Sequence, residues 1–306
     1  MLLSSVAEAM FWSGRYIERA QALARAVQAL ERLSLDLPAR HALGLRALLP
    51  LVKWQAQAGD GPEASQATLL LALAQNAEDT SSVLGALSAA RENLRQARVD
   101  APPELWAALN DQYLLLKGVA NQPMPRVLAA LGSVLETGSR VQGVIESHMA
   151  RDAAYSFLKL GVELERADMS LRLLAALLPV LSMHGWERTF DDVRWAGLLA
   201  ALGVQSMYRR SHHHQLELSA LLDCLLLDMA SPRSVAHCLR LIEDELGNLP
   251  RASLAPARVA IATSTACALS HATEQEIPQK IADLLDALAA VHVALETSYF
   301  HISAER

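Results

Sequence analysis

The chain has 306 residues, with 27 Lys and Arg against 33 Asp and Glu, so its formal net charge is -6 at pH 7. This acidic balance argues against a nucleic-acid-binding protein, because the phosphate backbone is bound through clustered Lys and Arg with little opposing acid. Hydrophobic residues make up 52% of the chain. Ala and Leu dominate them while β-branched and aromatic residues are few, which predicts an all-α fold with almost no sheet.

The sequence contains no feature that predicts a membrane or exported protein. No stretch reaches the roughly 18 to 20 uncharged apolar residues needed to cross a bilayer. The first residues carry no basic group ahead of their apolar run, so they are not typical of a secretory signal. Cys224, Cys238 and Cys267 are far apart with no CxxC pair, which predicts buried thiols in a reducing compartment. We therefore expect a cytoplasmic protein that binds no membrane.

Helical periodicity runs from about Leu3 to Leu33, and clusters of Pro and Gly divide the rest of the chain. These clusters lie at Pro38, 59–62, 102–103, 123–125, 182–185, Pro232 and 247–256. Together they predict a helical bundle of about ten helices. The longest stretch without proline, 126–178, is expected to hold two helices that meet near Arg151 and Asp152, with Asp152 as the N-cap of the second.

One motif, G-x-x-x-E-R-A-x-x-x-x-R, occurs twice, 147 residues apart. Its positions are Gly14, Glu18, Arg19, Ala20 and Arg25 in the first copy and Gly161, Glu165, Arg166, Ala167 and Arg172 in the second. A weaker echo follows each copy, where 82–83 and 234–235 both read Ser-Val at the start of a helix-like stretch. We interpret the chain as a single domain, 1–306, made of two duplicated halves, about 1–150 and 151–306, with a pseudo-twofold relation.

The repeated motif places its glycine and its charged residues on one narrow stripe. Gly14, Glu18 and Arg25 fall within about 40° of one another on a helix. A glycine lets a neighbouring helix come close, and buried charges there would need partners. We hypothesise reciprocal pairs, Glu18 with Arg172 and Glu165 with Arg25. Such pairs could be structural, fixing how the halves dock, or could form a binding site for a polar ligand or for charged residues of a partner.

A second polar stripe is expected on the helix that contains Arg91, Arg95 and Arg98. These arginines occupy positions i, i+4 and i+7 and would share one face. Arginine forks match carboxylate and phosphate groups, so the stripe could bind an anion or an acidic partner. The alternative is an ordinary solvated face.

No familiar catalytic or metal-binding apparatus is visible in the sequence. The histidine triplet 212–214, with His213 and Glu217 at i and i+4, invites a metal reading, but the chain lacks Glu-x-x-His and H-E-x-x-H. It also lacks a nucleophile elbow, a Walker loop and a dinucleotide fingerprint. We predict no metal and no cofactor of the chain's own.

With these residues in view, the chain resembles the bacterial alpha-E domain family over nearly its whole length. The resemblance is carried, in order, by 6–20, 90–98, Trp106, 109–110, 157–169, Trp195, 208–210 and 232–235. Two positions depart from the family pattern. Val162 stands where the family, like Arg15 in the first copy, tends to have arginine, and Ser231 stands where asparagine is usual.

The resemblance implies a helical protein encoded beside, or fused to, a circularly permuted ATP-grasp protein, near transglutaminase-like and proteasome-like hydrolase proteins. It implies a non-catalytic or co-catalytic partner subunit of a ligase that forms amide or peptide bonds. The subunit would dock on the ligase and help to shape its acceptor site. ATP and Mg are implied only for the partner, and a peptide or amino-acid substrate would lie at the interface.

The resemblance also groups the candidate site residues. The polar centre between the halves would contain Glu18, Arg19, Arg25, Glu165, Arg166 and Arg172. The arginines facing the partner or its anionic substrate would be Arg91, Arg95, Arg98 and Arg233. Two alternatives stay open: an independent enzyme acting on peptide or amide substrates with Glu18 or Glu165 as general base, and a structural scaffold.

Overall fold

The structure is a computed structural model that describes residues 2–37, 44–53, 65–181, 190–212, 216–250 and 254–300. The regular structure in these ranges is helical throughout, which confirms the all-α class. Twelve α-helices lie within them, slightly more than the ten or so predicted. They are α1 (Ser4–Asp36), α2 (Gln66–Ala74), α3 (Val83–Gln96), α4 (Pro103–Gly118), α5 (Met124–His148), α6 (Ala153–Leu181), α7 (Asp191–Leu202), α8 (Gln205–His212), α9 (Leu218–Leu226), α10 (Val235–Gly247), α11 (Ala255–Ser270) and α12 (Ile277–Leu295). A 3₁₀ helix covers Leu45–Leu51, and a π-helical turn covers Glu296–Phe300.

The long helix α1 lies at the centre of the bundle. It has 33 residues and packs against α3, α5, α6 and α7. Its buried residues are spread around most of its circumference, and many of them are alanines. A helix that is apolar on most of its sides has to be covered on most of its sides, and small alanines allow the covering helices to approach closely. The composition of α1 thus explains its central position.

Local sequence signals set three helix starts that bear on the site. Asp152 is the predicted N-cap of α6, and its Oδ1 accepts hydrogen bonds from the backbone N–H groups of Ala154 and Tyr155 at 3.0 and 3.3 Å. The Ser82 hydroxyl accepts from the N–H of Gly85 at the start of α3, at 3.1 Å. Ser234 caps α10 in the same way, at 3.1 Å. These contacts confirm the predicted junction and both Ser-Val helix starts.

The helices α1 and α6 cross at the two motif glycines. A Cβ atom on Gly14 would overlap the carbonyl oxygen of Leu158, and one on Gly161 would overlap the carbonyl oxygen of Phe11. Each carbonyl lies three positions before the opposite glycine, so the two contacts are reciprocal. The backbones therefore touch directly, as the motif predicted for its glycines. The duplication of whole halves stays a prediction.

The described helices include none that combines the length and the apolar character needed to span a bilayer. Cys224 and Cys238 are buried, as predicted. The expectation was wrong for Cys267, which is exposed because it falls beside the buried stripe of α11 formed by Ala262, Ala266 and Leu269.

Candidate functional site

The carboxylate of Glu165 lies between two arginines of α1. Its Oε2 accepts from Arg15 Nε at 2.5 Å and from Arg19 Nη2 at 3.1 Å, and its Oε1 accepts from Arg19 Nε at 2.5 Å. Glu165 is 0% exposed, whereas the Arg15 and Arg19 side chains retain 10% and 18% exposure. Glu165 of the second motif copy is thus bound by Arg19 of the first copy, and Arg15 is an additional partner.

The carboxylate of Glu18 has the reciprocal arrangement. Its Oε2 accepts from Arg166 Nη2 at 3.0 Å, and its Oε1 accepts from Arg233 Nη1 at 3.0 Å. Arg166 also donates through Nη1 to Glu163 on its own helix, at 2.9 and 3.0 Å. Glu18 and Glu163 are buried. The Glu-Arg dipeptides of α1 and α6 therefore exchange partners across the glycine crossing.

The predicted pairs Glu18 with Arg172 and Glu165 with Arg25 were wrong. Both arginines lie eleven positions past their glycines, about 16 Å along the helix axis, so the nearer Arg19 and Arg166 reach the opposite carboxylates first. Arg172 instead donates to Asp168 at 2.6 Å, and its side chain is 50% exposed, which places it outside the polar centre.

Arg233 lies in the polar centre, as a partner of Glu18, and its predicted role of facing the partner or its anionic substrate stays a prediction. The reason for its pairing with Glu18 is the departure at Val162. At the matching position of the first copy, Arg15 supplies the second cation for Glu165, but Val162 has no charge to give Glu18. Arg233, in the turn just before α10, supplies that cation instead. Arg15 was not among the predicted site residues, although its place beside Gly14 in the N-terminal signature was a usable signal.

The predicted arginine stripe is not continuous. Helix α3 ends at Gln96, so Arg98 lies in the following turn, exposed, ahead of two prolines that disfavour further helix. Arg91 donates to Asn110 Oδ1 at 3.2 Å, and its guanidinium carbon lies 4.2 Å from the centroid of the Tyr113 ring, so it links α3 to α4. Arg95 is exposed and pairs with Glu92 at 2.6 Å. Arg95 and Arg98 are therefore the surface residues of this group.

The arginines keep both central glutamates ionised. Burial would raise the pKa of Glu18, but the charges of Arg166, Arg233 and Arg25 outweigh it and lower the pKa to about 2. Burial opposes ionisation of Glu165 as well, and the charges of Arg15 and Arg19 again lower its pKa. A general base at neutral pH needs a pKa near the working pH. The free protein therefore holds neither glutamate ready for that role.

We expect the folded protein to lose stability in acid through Glu18. Its folded pKa of about 2 lies below the ordinary value of 4.5, so the stabilisation is complete above that value and is lost as the pH falls toward 2. The loss should be about 3 kcal/mol across this window. Urea unfolding at several pH values between 7 and 2 measures it. In Glu18→Gln the slope should be shallower, and equal slopes in both proteins would contradict the assignment.

A cavity with a volume of about 490 Å³ opens beside Glu18, between α1, α5 and α6. We name it the arginine cavity. Its charged and amide-bearing walls include Glu18, Arg25, Gln142, Arg166 and Arg233. Of the predicted polar centre, the structure thus brings Glu18, Arg25 and Arg166 to one cavity, with Arg19 and Glu165 in the neighbouring ion pair.

The described residues contain no group of three or more His, Cys, Asp or Glu side chains placed to hold a metal ion. Of the histidine triplet, His213 and His214 lie outside the described residues.

Comparison with known proteins identifies a family match and relatives of low sequence identity. Uncharacterized proteins of Mycobacterium tuberculosis (strain H37Rv) and Mycobacterium bovis are each 24% identical to the chain over 204 residues. The match covers 61% of this chain but only 23% of each relative, so the chain spans about a quarter of their length. No solved structure matches the chain.

The family match covers nearly the whole chain. A sequence model described as a predicted alpha-helical domain with a conserved ER motif, Alpha-E, matches residues 2–300. The Glu-Arg dipeptides 18–19 and 165–166, which exchange ion pairs across the glycine crossing, fit that description. The chain belongs to the Alpha-E family.

Proposed function

We propose that the protein is a non-catalytic partner subunit of a circularly permuted ATP-grasp ligase that forms amide or peptide bonds. It would dock on the ligase and help to hold the acceptor substrate. The observation that supports this proposal is the arrangement of charges in and beside the polar centre. The carboxylates of Glu18 and Glu165 are bound in ion pairs, and three arginines line an adjoining cavity that contains a single glutamate. Such a site is suited to binding an anion and holding it in place.

The residues of this chain suggest which steps would belong to the ligase and which to the partner subunit. Its sequence contains no nucleotide-binding loop, so ATP and Mg would be bound by the ligase. The low pKa of Glu18 and the lowered pKa of Glu165 disfavour the independent enzyme with a glutamate base. The matching segment makes up about a quarter of the mycobacterial relatives, which fits a helical unit that works together with other domains.

The direct test is co-purification of the chain with a circularly permuted ATP-grasp protein from the same genome, followed by an ATP-consumption assay with amino acids and peptides. We expect a stable complex whose turnover is absent from either protein alone. Activity of the purified chain alone on peptide or amide substrates, lost in Glu165→Gln, would favour the independent enzyme instead. No complex and no effect on turnover would overturn the proposal.

The exposed pair Arg95 and Arg98 gives a sharper test of the docking surface. We expect Arg95→Glu combined with Arg98→Glu to weaken the complex about tenfold, because two attractive charges become repulsive. Surface plasmon resonance against the ligase measures the change. Arg91 is left unchanged because it links α3 to α4.

A matched control for this pair lies on α10. Arg240 is also an exposed arginine paired with an acidic residue of its own helix, Asp244, at 2.6 Å. Arg240→Glu should leave the affinity within about twofold, since a surface charge away from the interface contributes little. Unchanged affinity in the Arg95 and Arg98 variant would remove these two residues from the docking surface.

A structural scaffold is the second candidate, favoured by the burial of the α1–α6 ion pairs, which can fix how helices dock. In that case Glu18→Gln with Glu165→Gln would lower the melting temperature and leave ligase turnover at lower temperature unchanged.

A further inference from the structure

The arginine cavity has an excess of positive charge. Arg25, Arg166 and Arg233 contribute three guanidinium groups to its wall, and Glu18 contributes one carboxylate. Glu163 partly offsets Arg166 from outside the cavity, at 2.9 Å. Burial and the charge of Arg233 lower the pKa of Arg25 to about 9, with Arg166 adding to the effect and Glu18 opposing it. Arg25 is therefore still cationic at pH 7, and its charge is poorly compensated.

Three buried donor atoms on residues of this wall lack a partner. Arg25 Nη1, Arg166 Nε and Gln142 Nε2 have no hydrogen-bond acceptor within the described part of the chain. Buried donors are almost always satisfied, because each one left unpaired loses its hydrogen bonds to water without a replacement. All three belong to residues that line one cavity, so rotation of these side chains would bring unpaired donors to an acceptor group bound there.

The fold holds two of the arginines side by side. Gly203 ends α7 with φ 73°, a conformation that favours glycine. A Cβ atom there would lie 2.9 Å from Arg233 Nε and 3.0 Å from Arg25 Cδ. The absence of a side chain at this position leaves room for both arginines beside the turn after α7.

A second cavity, of about 550 Å³, adjoins the first and shares Arg25 and Leu135 with it. It follows α1 toward α7, and its far part is lined by three exposed charged residues, Arg32, Asp36 and Asp192. Arg25 and Asp36 are eleven helical positions apart, about 16 Å along the axis. An extended peptide of about four or five residues spans that distance. The two cavities together have three arginines and one glutamate at one end, and two aspartates with one arginine, Arg32, toward the other.

We propose that the two cavities form a binding groove for a short peptide, whose free C-terminal carboxylate is bound by Arg25, Arg166 and Gln142. The N-terminal ammonium group would lie toward Asp36 and Asp192. The arginine forks match a carboxylate, and the Gln142 amide supplies a further donor. This inference rests on the proposed function in one respect: such a peptide is the class of acceptor or product that a peptide-forming ligase handles.

The test uses the purified full chain without ligase or ATP, so its outcome is independent of complex formation. The chain is incubated with a randomised pentapeptide library bearing free C-terminal carboxylates, and separately with the same library amidated at the C-terminus. Peptides retained with the protein on size exclusion are quantified by mass spectrometry. We expect at least about tenfold more retention of the free acids, since a hydrogen-bonded charge is lost on amidation.

Several outcomes would overturn the proposal. Equal retention of the two libraries, or retention of neither, removes the carboxylate site. Complete displacement of the peptides by an equal concentration of inorganic phosphate assigns the cavity to a phosphate instead. Retention of a free amino-acid mixture as strong as that of the pentapeptides removes the extended groove.

Two motif arginines provide matched variants. Arg25→Gln should reduce peptide retention about tenfold while keeping or raising the melting temperature, because it removes a buried charge that faces Arg233. Arg172→Gln changes the equivalent arginine of the second copy, which lies outside the cavity, and should leave retention unchanged. Gln142→Leu removes an unpaired donor from the same wall and should reduce retention several-fold. Unchanged retention in both Arg25→Gln and Gln142→Leu contradicts the proposed site.

Discussion

Glu165→Ala is expected to lower the free energy of unfolding by about 3 to 5 kcal/mol. Glu165 is 0% exposed and binds Arg15 and Arg19, both at 2.5 Å. Its removal leaves two guanidinium groups close together in a buried site with the neutralising charge gone. Urea denaturation followed by far-ultraviolet circular dichroism gives the difference.

The control for Glu165→Ala is Glu92→Ala. Glu92 also pairs with an arginine, Arg95 at 2.6 Å, but its side chain is 46% exposed. Exposed pairs contribute about 0 to 1 kcal/mol, so this variant should unfold nearly like the wild type. A similar decrease in the free energy of unfolding in both variants would mean that burial of the ion pair does not determine the size of the effect.

Gly161→Ala is expected to destabilise the protein by about 3 kcal/mol, because the new methyl group would overlap the Phe11 carbonyl oxygen of the opposite helix. Backbone cannot yield as a side chain can, so α1 and α6 would have to move apart. That movement would also lengthen the Arg19–Glu165 and Arg166–Glu18 contacts. The melting temperature, read by calorimetry, should fall by several degrees.

Gly143 offers the matched control for Gly161. It also lies inside a helix, α5, but a Cβ atom there would meet nothing within 4 Å. Gly143→Ala should therefore stabilise the protein by about 0.5 to 1 kcal/mol, the usual gain in helix propensity. A loss of stability in Gly143→Ala as large as in Gly161→Ala would show that helix contact at the crossing is not the cause.

The features that sequence could predict are those set by neighbouring residues. The junction at Asp152 and the caps at Ser82 and Ser234 depend on one side chain and the N–H groups two or three positions ahead of it. The close approach at Gly14 and Gly161 was predictable for a similar reason, since a repeated glycine on a charged stripe has few other uses. In each of these cases the residue type itself restricts the local geometry, so the structure could be predicted from a few neighbouring positions.

The features that sequence could not predict depend on how the helices meet. Which arginine reaches which glutamate is decided by the crossing of α1 and α6, so Arg19 and Arg166 took the places predicted for Arg25 and Arg172. Arg233 is 215 residues from Glu18 in the chain. Its role emerges only when Val162 is seen to leave Glu18 short of a cation. The cavity beside Glu18 likewise exists only once α5 is packed against α1.

The glycine crossing has a consequence for symmetry. Each of the two helices presents a glycine, an acid and a base in the same order, so each is complementary to a copy of itself, as the two faces of an isologous dimer are. A single copy of the motif would therefore be enough to form the same helix crossing between two identical chains. With both copies of the motif in one polypeptide, each copy can differ from the other. The valine at 162, with the cation for Glu18 supplied from a separate turn, is such a difference, and in a homodimer it would occur on both sides.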